Sequence, residues 1–122
     1  MIKLRRKIIS TIKDLKEKGE IVSELSAIIT KNKISYINND TKEQLKINEK
    51  NIVLKRENTE FIHIIYFVKG KTIPTNYHLK KNNLDIEINI YTESIKVEEN
   101  KISINYKVVE SNNDYEFIIE MR

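Results

Sequence analysis

Residues 84–92 read Leu84-Asp85-Ile86-Glu87-Ile88-Asn89-Ile90-Tyr91-Thr92. Leu84, Ile86, Ile88, Ile90 and Thr92 share one face, and Asp85, Glu87, Asn89, Tyr91 and then Glu93 share the other. A period of two over this length is the pattern of a strand with one wet face. The pattern repeats downstream, where Ile102, Ile104, Tyr106 and Val108 alternate with Ser103, Asn105 and Lys107, and again at Tyr115, Phe117, Ile119 and Met121. Three such segments in succession predict consecutive antiparallel hairpins.

Working outward, short apolar runs at residues 21–30, 33–38, 43–47, 52–57, 61–68 and 72–79 read as further strands. Between them lie clusters such as Asn38-Asn39-Asp40, Lys81-Asn82-Asn83 and Asn112-Asn113-Asp114. Asn tolerates the left-handed backbone of hairpin turns, so it substitutes for glycine in a chain with only two glycines. Composition agrees: Ile occurs 23 times and Ala once, which favours a pleated surface over a helix. The first 18 residues are locally ambiguous. Leu4, Ile8, Ile9, Ile12 and Leu15 fit a helix stopped by Gly19, whereas Ile2, Leu4, Ile8 and Ile12 against Lys3, Arg5, Lys7 and Lys13 fit a strand.

A chain of 122 residues supports one domain, and nine or ten strands within it predict an all-β barrel or sandwich. The absence of cysteine excludes disulfides, thiolate metal sites and a cysteine nucleophile. No run of 18 apolar residues and no secretory leader pattern is present, so the expected setting is the cytoplasm, with no membrane span. The net charge of +4 is concentrated in residues 1–18, which hold seven Lys or Arg against two acids. Nucleic acid is therefore not the expected partner. A basic ladder of Lys3, Arg5, Lys7 and Lys13, with Lys69, Lys71, Lys80 and Lys81, is the only feature favouring it.

No phosphate-binding loop, nucleophile elbow or metalloprotease motif occurs, so neither an enzyme nor a cofactor is expected. His63 and His78 lack ligand-like spacing to a carboxylate, and no metal is expected. His63 reads as a strand histidine satisfied by a neighbour, and His78 as exposed. Residues 61–68 are apolar on both faces, which predicts cover for the outer one by a terminal segment or by a second copy in a homodimer.

Arg56 ends one strand; Phe67-Val68-Lys69-Gly70, Tyr77, Glu87-Ile88-Asn89-Ile90-Tyr91-Thr92 and Lys101-Ile102-Ser103-Ile104-Asn105-Tyr106 follow in order. In this order and spacing the chain resembles the YwiB-like proteins, a bacterial family of unknown function. The resemblance implies a calycin-like antiparallel meander β-barrel, related in shape to lipocalins, and a strand over residues 2–14. Two glycines of the family pattern are replaced here, one by Asn58 and the other by Asn82 or Asn83. In barrels of this type an interior Arg with a Tyr commonly holds a ligand carboxylate. That implies a small apolar or amphipathic ligand bound by Arg56, Tyr77, Thr92 and Tyr106, which share the inward faces. The alternative for Arg56 is a rim position paired with Glu57, Glu60 or another surface acid. The alternative for the whole chain is a filled barrel that meets a protein or nucleic acid with its outer surface.

Overall fold

The computed structural model describes residues 4–122, so the Ile2 and Lys3 positions of the first-strand reading lie outside the described residues. The strands are β1 (Leu4–Asp14), β2 (Glu20–Thr30), β3 (Lys33–Asn38), β4 (Thr41–Ile47), β5 (Ile52–Glu57), β6 (Phe61–Phe67), β7 (Thr72–Leu79), β8 (Leu84–Val97), β9 (Lys101–Val108) and β10 (Asn113–Met121). Each pairs antiparallel with its sequence neighbour, and β1 pairs with β10 to close the barrel. The result is a ten-strand meander that fits the calycin-like fold.

The ambiguous start is a strand because it has two partners. Ile8–Asp14 register against β10 and Leu4–Lys13 against β2, so both backbone edges of its middle are satisfied, and a helix in its place would leave the facing edges of β2 and β10 unpaired. Turn chemistry follows the asparagines. Asn39, Asn83 and Asn112 all adopt positive φ, at 58°, 50° and 56°, in the turns after β3, β7 and β9. Asn58 works differently: its Oδ1 accepts from the backbone N–H of Glu60 and of Phe61, fixing the β5–β6 turn through the side chain.

Inward faces meet in a core of Ile8, Ile34, Leu45, Ile52, Phe67, Ile90, Ile102, Ile104 and Ile119, each almost wholly buried. Leu84 and Ile86 depart from the sequence reading. They lie on the inward-facing side of β8 yet are 49% and 42% exposed, because β9 pairs with β8 only from Ile90 onward and leaves the β7–β8 hairpin overhanging. A bulge between Thr92 and Ser94 then shifts the register, so Ile95 follows Thr92 on the inner face.

The wall is weakest between β6 and β7, which share three residue pairs, from Phe61 opposite Leu79 to His63 opposite Tyr77. Pro74 on β7 has no N–H to give a ladder. The β6–β7 loop instead folds onto β8, where Gly70 N–H donates to Thr92 O and Thr92 N–H to Lys71 O. The outer face of β6 stays open, with Tyr66 exposed and Ile62 and Ile64 half-buried beside Pro74. Among the described residues no terminal segment lies in the cavity beside it.

Candidate ligand site at the polar end of the barrel

Pairing register carries one row of inward positions across the wall: Tyr36 on β3 opposite Glu43 on β4, Glu43 opposite Arg56 on β5, Arg56 opposite His63 on β6, and His63 opposite Tyr77 on β7. Arg56 therefore points inward, as its place beside Ile52 and Leu54 predicts. Its partner corrects the rim alternative: Nε donates to Glu43 Oε2 at 3.0 Å, and the Glu43 side chain is only 8% exposed against 35% for Arg56. A buried carboxylate beside a guanidinium is a charge-assisted bond that offsets part of the desolvation cost of the two charges. Glu43 was missed from sequence, although its alternation with Leu45 and Ile47 against Lys42, Gln44 and Lys46 carries the signal.

Aromatic rings frame the pair. The Arg56 guanidinium carbon lies 5.6 Å from the centre of the Phe61 ring, and Phe61 stacks on Tyr77 at 4.9 Å. Tyr77 meets His63 edge-on at 5.2 Å. His63 Nε2 lies 2.8 Å from Thr75 Oγ1, whose own proton goes to Ile88 O at 2.7 Å. Thr75 Oγ1 must then accept, so His63 donates from Nε2 and is neutral with Nδ1 bare. Burial, and secondarily the Arg56 charge, push its pKa down to about 4.

Across the interior, Tyr106 opposes Thr92 on one side and Tyr115 on the other. Tyr106 stacks on Tyr115 at 5.5 Å and leans on Phe67 at 5.2 Å. Burial pushes its hydroxyl up to about 12, with the Arg56 charge opposing. The four side chains selected from sequence thus all face inward. Tyr77 reaches Arg56 through the Phe61 ring, Tyr106 and Thr92 are cross-strand neighbours, and the hydrogen bond of Arg56 goes to none of them.

Two hydroxyls in this region stand out. Tyr36 Oη and Thr92 Oγ1 are buried without a hydrogen-bond partner, although Tyr36 lies near Glu43 and Ser10. Burial, and then the Glu43 carboxylate, hold the Tyr36 hydroxyl well above its usual pKa, so it keeps its proton and remains a donor. Each unpartnered buried hydroxyl costs about 1–3 kcal/mol. His78 lies away from this cluster, on β7, with Nδ1 2.6 Å from Asp85 Oδ1. Among the described residues no group of three or more His, Asp or Glu is placed to hold a metal ion.

Residues 2–118 match the family described as Domain of unknown function (DUF1934). The chain belongs to that family. The crystal structure of ywiB protein from Bacillus subtilis superposes with a TM-score of 0.65 at 19% identity, covering 98% of this chain and 92% of that one. At that identity the likeness extends to the fold, so the DUF1934 chain shares the YwiB barrel from end to end. No curated protein matches the sequence. Among the described residues no helix is long and apolar enough to cross a membrane.

Proposed function

We propose that this DUF1934 chain is a non-enzymatic binding protein that takes a small amphipathic ligand at the polar end of its barrel. The observation that carries this reading is the Arg56–Glu43 pair enclosed with two unpartnered hydroxyls, Tyr36 Oη and Thr92 Oγ1. Charges and orphaned donors inside an apolar wall are expensive to keep for stability alone. A ligand carboxylate or carbonyl would answer them. Arg56 uses Nε on Glu43 and retains its terminal N–H groups for an acceptor, while Phe61 and Tyr77 offer an apolar surface at the mouth. The buried isoleucine core supports placing the ligand at the Arg56 end and suits a small one.

Native mass spectrometry of the freshly purified protein, followed by organic extraction, tests this without guessing a ligand. We expect an added mass of a few hundred daltons or less on the order of a drug-sized ligand, released on denaturation. Octanoate supplies the second arm: wild type binds it, and the Glu43→Leu/Arg56→Met variant, which removes both charges together, binds at least about tenfold more weakly. A bare chain mass together with no octanoate binding would overturn the reading.

The open outer face of β6 supports a second copy of this chain as the proposed protein partner, since Ile62, Ile64 and Tyr66 leave an apolar strip that one barrel does not cover. Light scattering at high concentration should give a dimer mass; a monomer mass removes this partner.

A further inference from the structure

A second concavity lies on the outside of the wall and is independent of the interior reading. Its volume is about 570 Å³, within the range of small-molecule sites. It exists because small residues meet larger ones across five strands. In register, Arg5 opposes Ile28, Ile28 opposes Ser35, Ser35 opposes Gln44 and Gln44 opposes Lys55. Ser26 and Ser35 leave the floor low, and Tyr36 and Glu43 contribute only backbone there because their side chains are buried inside the barrel.

The groove is cationic on two sides. Lys42 and Lys55 are diagonal neighbours on β4 and β5, close enough for both ammonium groups to reach one anion, and Arg5 stands on the far side at β1. Of the two acids in the lining, Glu43 has its side chain buried, and Glu57 is paired with Lys80 at 2.8 Å from outside the groove and with Lys55 at 3.9 Å within it. Ser26 and Ser35 hydroxyls and the Gln44 amide add neutral donors on the floor. Ile28 and Ile37, 40% and 58% exposed, give the groove an apolar flank. No aromatic ring faces into it, since Tyr36 points inward, so a stacked nucleobase has no platform.

We propose that this groove binds a small organic phosphate monoester, its phosphate at Lys42 and Lys55 and its apolar part on Ile28 and Ile37 toward Arg5. Two neighbouring ammonium groups with hydroxyl and amide donors match a phosphate dianion, and Arg5 adds positive charge from the far wall of the groove. The two isoleucines distinguish an organic ester from free phosphate.

The test is a titration followed by amide chemical shifts, using hexyl phosphate, inorganic phosphate and hexanol as probes. Saturable shifts at Ser26, Ser35, Ile37 and Gln44 are expected with hexyl phosphate, at least about tenfold tighter than with inorganic phosphate, weakening steeply with salt. Hexanol should leave these amides unmoved. In Lys42→Gln/Lys55→Gln, affinity should fall at least about tenfold with the fold intact. Ser35→Asp, which puts a negative charge on the floor, is the second variant and should abolish binding. Absence of shifts with hexyl phosphate, shifts confined to other lysines, equal binding of hexanol, or unchanged affinity in both variants would each overturn the proposal. Because the interior ligand is tested with octanoate and the Arg56–Glu43 variant, either site can fail without the other.

Discussion

Glu43 and Arg56 depend on each other more than on any neighbour. Arg56→Met leaves a carboxylate that is 8% exposed without its partner, and we expect a loss of about 2–3 kcal/mol, below the fully buried case because the Arg56 side chain is 35% exposed. Glu43→Leu/Arg56→Met should recover most of that loss, which urea unfolding of the three proteins will measure. His63 makes stability depend on pH. Its pKa is ordinarily 6.5 and is about 4 in the fold, so between those values the unfolded chain binds a proton that the native chain refuses. The stability is present above pH 6.5 and is lost as pH falls toward 4, by about 3 kcal/mol at most. His63→Gln keeps a donor for Thr75 and should flatten this part of the profile; thermal melts of the two proteins at pH 7, 5.5 and 4.5 give the comparison.

Hairpins hold their shape through asparagine. Asn83 and Asn112 sit at φ of 50° and 56°, where a Cβ-branched side chain is strained. Asn83→Val should cost about 1–2 kcal/mol and Asn83→Gly should be neutral within about 0.5 kcal/mol, a contrast that follows from backbone conformation and not from lost contacts. The β6–β7 seam has a different dependency. With three residue pairs between these strands, the relay from His63 through Thr75 Oγ1 to Ile88 O ties β6, β7 and β8 together. Thr75→Val removes that relay and leaves His63 Nε2–H buried without an acceptor. We expect a loss of about 1–3 kcal/mol and faster hydrogen exchange at Thr75, Asn76 and Ile88 than elsewhere in the wall.

Closure of the whole molecule rests on β1 meeting β10, the pairing most distant in sequence, with Ile8, Ile119 and Ile102 on its inner side. Ile119 is fully buried at this junction, so Ile119→Ala should cost about 2–5 kcal/mol. It should also slow refolding, because the closing contact must form across the full chain while each hairpin forms locally. The two candidate sites share three strands, β3, β4 and β5, one using their inner and the other their outer face. Tyr36 and Glu43 serve the interior with their side chains and floor the outer groove with their backbone.

Alternation is a local property, so nine of the ten strands, most of their inward faces and the asparagine turns are legible along the chain. Residues 33–38, 52–57 and 72–79 are strands with the bounds read from their pattern, and Asn39, Asn83 and Asn112 turn the chain where asparagine clusters stand. The same alternation sets Arg56 beside Ile52 and Leu54 but leaves open along the chain whether it turns inward or reaches the rim. What only the tertiary structure decided depends on register between strands. The partner of Arg56 is Glu43 because β4 and β5 pair at that offset, and Leu84 and Ile86 are exposed because β9 does not extend to them. The first strand was undecidable from its own residues, since its side chains fit either period. It became a strand through hydrogen bonds to β2 and β10, the latter more than a hundred residues away. The groove had the same origin: Ser26, Ser35 and Gln44 are unremarkable polar positions along the chain, and a cavity only where three strands set them side by side.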